Sequence, residues 1–298
     1  MYEQIAGNKR RTFLIMFFFI LLVLFIGYVF GSITRFGFAG VFVAAIIAIA
    51  MSFGSYYYGD KIILTMSRAQ LASNEEYPHL HNVVEGLTIA AGIPKPKVYV
   101  IDDPAPNAFA TGRDPEHSAV AVTTGLLQKL NREELEGVVA HELSHIRNYD
   151  IRLMTLTVVM VGVVALLSDW LLRSFFWGGG RRRDNQGGYI GLILMVLGLL
   201  LAVLSPIIAQ LIRMALSRQR EFLADASAAM LTRYPPGLAH ALEKIAADNE
   251  PLAIANKATA SLYIATPVNL RNRKGWSLWS THPPIEDRIK RLEEMSFE

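Results

Sequence analysis

Residues 131–147 read Asn131-Arg132-Glu133-Glu134-Leu135-Glu136-Gly137-Val138-Val139-Ala140-His141-Glu142-Leu143-Ser144-His145-Ile146-Arg147, and this stretch decides the reading of the chain. Asn131 with Glu134 three positions on is a capping box, the signature of a helix start. Leu135, Val138, Val139, Leu143 and Ile146 then recur at helical spacing. On that helix His141 and His145, at i and i+4, lie on one face and can present two imidazole nitrogens to one metal ion. Glu142 sits beside that face, where its carboxylate can take a proton from an attacking water. This trio at this spacing suits a zinc-dependent hydrolase acting on peptide bonds. Two histidines on a helix can also be ordinary core or surface residues. The metal reading is favoured because the motif falls where a helix is independently expected.

Outward from the motif, composition points to a membrane. Hydrophobic residues make up 52% of the 298, and mean hydropathy is +0.30, both high for a soluble chain. The excess is concentrated in runs at 12–30 and 36–58, both uncharged, at 153–172, with Asp169 as its only charge, and at 189–211, again uncharged. Each reaches the length of roughly 20 residues that a helix needs to cross the hydrocarbon core. Four spans are expected, with Pro206 kinking the last. The first run is too long for the apolar part of a signal peptide and has no small-residue cleavage site after it, so an anchored hairpin is the better reading.

The chain divides accordingly into an N-terminal hairpin (1–58), a soluble segment with the motif (59–152), a second hairpin with a Gly/Arg-rich loop (153–211) and a second soluble segment (212–298). Lys9, Arg10 and Arg11 before the first span favour a cytoplasmic N-terminus. With even numbers of crossings, both soluble segments then share the cytoplasm. Arg173 and Arg181, Arg182 and Arg183 run against this, because they would fall in the outer loop. The chain has no cysteine, which excludes a disulfide framework and a thiolate metal site. A net charge of +3 without a basic, aromatic-interleaved stripe gives no case for nucleic acid.

A catalytic zinc site needs a third protein ligand. A metzincin would carry Gly at 148 and His at 151; Asn148 and Ile151 exclude that class. A gluzincin takes a glutamate from a second helix. Residues 217–226 supply Glu221 and Asp225 at i and i+4, so Glu221 can complete the coordination and Asp225 can hydrogen-bond the far nitrogen of His141. Spacing alone serves equally well a solvated face on which Arg218 and Arg220 pair with these acids.

The order of motifs resembles the HtpX-type membrane zinc metalloproteases, relatives of the CAAX prenyl proteases. It comprises Asn107-Ala108-Phe109-Ala110-Thr111-Gly112, then His141 to His145, Ser217 to Asp225, and Thr281-His282-Pro283-Pro284. The likeness covers nearly the whole chain, with two apolar runs before the motif and two between it and Glu221. It implies His141, His145 and Glu221 as ligands of one Zn2+ and Glu142 as the catalytic residue. It also implies breakdown of misfolded or damaged membrane proteins at the bacterial cytoplasmic membrane, a quality-control and stress-response role. The fold it implies is mainly α: four transmembrane helices and a cytoplasmic α+β gluzincin-like domain built from two chain segments and carrying a small sheet. An even number of spans between His145 and Glu221 is also a physical requirement, since both must reach one side of the bilayer.

His282 is the first candidate to stabilise the oxyanion, with Arg218 and Tyr263 behind it. His79, His81, His117 and His240 have no ligand spacing and are read as structural or surface residues. Short strands are expected at 97–101, 108–111 and 118–123. Partly by the same resemblance, an exposed edge is assigned to 107–111, where Asn107, Ala108, Phe109 and Ala110 could pair with any extended peptide backbone, which suits unfolded protein substrates. Residues 271–274 with Trp276 and Trp279 suit the interface of the lipid bilayer. An intramembrane protease is disfavoured by the charges that flank the motif, from Arg132, Glu133 and Glu134 to Arg147, Asp150 and Arg152. A structural zinc scaffold is disfavoured by Glu142, a base such a site does not need.

Overall fold

The computed structural model describes residues 2–33, 37–178, 218–253, 259–265 and 283–295. Two long apolar helices, α1 (Tyr2–Ile33) and α2 (Phe38–Met66), open the chain and pack on each other. Within them Ile5–Val29 and Phe38–Met66 are long and apolar enough to cross a membrane. They turn Phe13, Phe17, Phe18, Phe25, Phe42 and Phe53 outward. Outward apolar side chains over such a length suit lipid rather than water.

α2 runs without a break to Met66, and α6 (Asp150–Gly178) starts directly after the motif helix. The borders expected after 58 and 152 therefore fall inside continuous helices, which run on from the apolar runs toward the sheet and the motif helix. The third expected span lies within α6. The fourth, at 189–211, and the Gly/Arg-rich loop lie outside the described residues.

Between α2 and α6 come β1 (Gln70–Leu71), α3 (Pro78–Ala91), β2 (Lys97–Ile101), β3 (Ala108–Asp114), β4 (His117–Thr123), α4 (Thr124–Lys129) and α5 (Arg132–Arg147). The strands form one mixed sheet in the order β1-β2-β4-β3, with β2 and β4 parallel and the other pairs antiparallel. Both faces of the sheet are covered. Val98, Val100, Val120 and Val122 share a core with Leu80 and Val84 of α3 and Val138 and Val139 of α5. Ile101, Phe109, Ala119 and Ala121 share another with Ile63 and Leu64 of α2 and Met154 and Val158 of α6. Double coverage explains why these strands carry almost no polar alternation. Gly112 (φ 141°) ends the regular part of β3, where a Cβ would lie 2.3 Å from the His117 carbonyl oxygen.

α5 starts at the expected capping box: Glu134 N–H donates to Asn131 Oδ1 at 2.9 Å, and Asn131 N–H to Glu134 Oε2 at 2.8 Å. It is buried almost throughout, between the sheet and two later helices, α7 (Arg218–Thr232) and α8 (Pro235–Ala247). Gly137 permits the close crossing with α8, since a Cβ there would stand 2.6 Å from the Leu238 nitrogen. α9 (Ile285–Met295) packs on α7 and α8 through Ile285, Ile289 and Leu292.

Candidate metal centre

α5 and α7 cross so that three side chains meet. The ligand atoms of His141, His145 and Glu221 lie within 4.8 Å of one another, and all three residues are buried. His141 Nε2 faces His145 Nε2 at 3.2 Å. Glu221 Oε2 lies 3.8 Å from the first and Oε1 3.6 Å from the second. The two imidazoles thus turn the same nitrogen toward one carboxylate.

Their other nitrogens are each fixed by a second acid. His141 Nδ1 lies 2.9 Å from Asp225 Oδ1, the pairing anticipated from the sequence. His145 Nδ1 lies 2.9 Å from Asp150 Oδ2. A carboxylate at Nδ1 selects the tautomer that leaves Nε2 with its lone pair, the form a metal ligand needs. Both acids are in turn clamped. Arg288, 1% exposed, donates from Nε to Asp225 Oδ2 at 2.9 Å and from Nη2 to Asp225 Oδ1 at 2.7 Å. Arg220 Nη2 lies 2.9 Å from Asp150 Oδ1. Asp225 is therefore held by a distant arginine, not by its helix neighbours, and Arg218 stands exposed at the start of α7.

Burial and charge act against each other here. Burial draws the His141 imidazole down to about 4, although Asp225 pulls the other way. Burial alone would lower His145 too, but the Asp150 hydrogen bond and the charges of Glu221, Asp150 and Glu142 prevail and raise it to about 9. Burial would raise Asp225; the Arg288 charge and the bonds from His141 and Arg288 hold it at about 2. Glu142 is 2% exposed, and burial lifts its carboxyl to about 7, helped by Glu221 and opposed by His145, the Ala110 N–H and Arg288. A carboxyl poised near neutrality can both take up and give back a proton. So many buried ionisable groups are costly to fold, several kcal/mol for each one left unpaired, and such clusters mark functional sites.

β3 forms the rim of this site and is the edge strand of the sheet, but the edge is not open as expected. Ala108, Phe109 and Ala110 are at most 2% exposed. On the outward side, the Ile264 N–H donates to the Ala108 oxygen at 2.9 Å, and the Gly112 N–H to Thr155 Oγ1 at 3.2 Å. Ala110 has the same outward parity between them, with its N–H facing Glu142. Asn107 Nδ2 donates to the Ala265 oxygen at 3.1 Å. The segment at 262–265 thus lies against the edge because Ala108 and Asn107 offer it backbone and amide partners.

Among the oxyanion candidates, His282 lies outside the described residues. Tyr263 is fully buried, edge-to-face on Phe109 at 5.3 Å between ring centres. His79, His117 and His240 are exposed, and His81 Nε2 lies 3.1 Å from the Ala72 oxygen. Sequence reasoning passed over Asp150 and Arg288. Arg288 left a signal: it shares the apolar stripe of Ile285, Ile289 and Leu292, an unusual place for an unpartnered cation.

Comparison with known proteins agrees with this architecture. The sequence profile of Peptidase family M48 matches residues 74–296. A Protease HtpX homolog from Dictyoglomus turgidum is 52% identical over 294 residues, covering 99% of this chain and 94% of its own. One from Caldanaerobacter subterraneus is 48% identical over 298 residues, covering 100% and 98%. A crystal structure of S. mikatae Ste24p superposes with a TM-score of 0.51 at 19% identity, covering 98% of this chain and 67% of that one, which supports the fold. Fold and site together define a membrane metalloprotease. The chain belongs to Peptidase family M48 and, within it, to the HtpX-type proteases.

Proposed function

We propose that the chain is a zinc endopeptidase of the bacterial cytoplasmic membrane, with its site on the cytoplasmic face, that cleaves misfolded or damaged membrane proteins in quality control and stress response. One observation carries the chemical part: the ligand atoms of His141, His145 and Glu221 converge within 4.8 Å while Glu142 is buried beside them. Two imidazoles whose Nδ1 atoms are already engaged, with one carboxylate and no cysteine in the chain, fit Zn2+. When bound there, the ion supplies Lewis acidity toward the scissile carbonyl and lowers the pKa of water.

The remaining steps fall to the chain's own groups. Glu142 takes the proton of the attacking water and returns it to the leaving amine nitrogen. Asp225 and Asp150 hold the two imidazoles in orientation from Nδ1. His282 is the candidate to hold the oxyanion. Four spans, two of them between His145 and Glu221, return both soluble segments to one side.

The test is the full chain purified in detergent, analysed for metal and offered an unfolded protein. About one zinc per chain, cleavage, and loss of cleavage on chelation with recovery on zinc alone are expected. Cleavage that survives thorough chelation would reject the proposal. Topology is read by Arg182→Cys in this cysteine-free chain: labelling from outside is expected, and labelling only from the cytoplasm overturns the four-span arrangement.

A further inference from the structure

We infer that Asn8, on the first apolar helix, is a positioning residue of the metal centre that acts through Asp150 on His145, so that the membrane anchor completes the site. The inference rests on reading His145 as a metal ligand.

Asn8 is 1% exposed, although its neighbours Lys9, Arg10 and Arg11 are exposed. Its Nδ2 donates to the Asn148 oxygen at 2.8 Å and to Asp150 Oδ1 at 2.6 Å. These two acceptors flank Tyr149, which joins α5 to α6 in the left-handed region at φ 60°. A non-glycine residue there is strained and must be held by its surroundings. Asn8 bonds both sides of that turn, and Lys9 Nζ lies 4.6 Å from the centre of the Tyr149 ring.

The consequence reaches the metal centre through one carboxylate. Asp150 Oδ1 receives Asn8 and Arg220, which leaves Oδ2 to His145 Nδ1. With one oxygen held by two donors, the carboxylate cannot turn, and the imidazole is fixed with Nε2 toward Glu221. Four elements therefore set His145: its own helix, α6 through Asp150, α7 through Arg220, and α1 through Asn8.

A simple tether needs none of this. Further along the same face, α1 packs Phe19 into one cluster with Leu156, Met160 and Val164, with Ile15 against it, and the buried Thr12 between Asn8 and Ile15 makes no side-chain bond to the described part of α6. Asn8 lies on the same stripe, eleven positions before Phe19, or about three turns. An amide buried at that point is costly unless its hydrogens are bonded, and an apolar residue would pack as well. What Asn8 adds is the pair of bonds on the α5–α6 turn.

The experiment uses the full chain in detergent and compares wild type, Asn8→Leu, Asp150→Asn, the double variant, Phe19→Ala and His145→Ala. Zinc affinity is read by competition with a chelator, and kcat and KM on an unfolded protein. Loss of an outer partner of a metal-bound histidine costs about 10–100-fold, so Asn8→Leu, one bond further out, is expected near tenfold in zinc affinity and kcat with KM unchanged. In the Asp150→Asn background Asn8→Leu should add nothing, because both act along one path. Phe19→Ala loosens α1 on α6 without touching Asp150 and should keep wild-type zinc affinity. Wild-type affinity in Asn8→Leu, fully additive losses in the double variant, or an equal loss in Phe19→Ala each overturns the inference. Should Asn8→Leu not fold, Asn8→Ala removes the same donor with less bulk and is judged by the same outcomes. Zinc retained in His145→Ala marks failure of the ligand reading, whereas zinc lost there with Asn8→Leu unaffected marks failure of this inference alone.

Discussion

His141 Nε2 and His145 Nε2 face each other 3.2 Å apart, each with its Nδ1 against a buried carboxylate. Two imidazole nitrogens at that separation cannot both carry a proton. With both Nε2 atoms deprotonated, a single cation between them and Glu221 would satisfy both lone pairs and the carboxylate charge together, as a ligand set requires.

Glu221, carried by α7, is the proposed third ligand. Glu221→Ala should lose most of its zinc affinity while His141 and His145 remain in place. Equilibrium dialysis of the detergent-purified chain checks this, and unchanged affinity would point to another third ligand.

Arg288 carries a stability prediction. Its removal strands Asp225 as a buried, uncompensated charge, and breaking such a pair costs about 3–5 kcal/mol. Arg288→Ala should therefore lower the unfolding temperature and the zinc affinity together. Arg288→Lys should restore little, because an ammonium cannot make the two-pronged contact with Asp225. Thermal unfolding with and without added zinc measures both effects.

The capping box makes a separate claim about α5. Asn131→Ala removes the acceptor for the Glu134 N–H and should cost about 1 kcal/mol of stability. Because the box lies at the opposite end of α5 from His145, zinc affinity at low temperature should stay at the wild-type value. A large loss of affinity in a folded variant would mean that the start of the helix controls the site.

Much of this centre was legible in sequence because its information is local. Asn131 and Glu134 announce where α5 begins, and the i, i+4 spacings fix the shared faces of His141 with His145 and of Glu221 with Asp225. The capping geometry and the three main strands follow, whereas spacing alone left Glu221 and Asp225 equally readable as a solvated face, and the family resemblance set them at His141 and His145. The remaining parts depend on chain crossings that no local pattern encodes. Arg288 reaches Asp225 across 63 residues, and Asn8 reaches Asp150 across 142. The coverage of β3 belongs to the same group: strand character is visible in 108–111, but Ile264 and Thr155 come to that edge only through the fold. The borders at 58 and 152 were read from hydropathy and charge, and α2 and α6 run across them without a break.

In the proposed mechanism Glu142 moves the proton while His141, His145 and Glu221 hold the ion, and Glu142→Gln separates the two roles. Measured on the purified full chain, the variant should retain about one zinc per chain and lose roughly 10²- to 10⁴-fold in the cleavage rate of an unfolded protein. Zinc retained with cleavage at the wild-type rate would show that Glu142 is not the group that moves the proton.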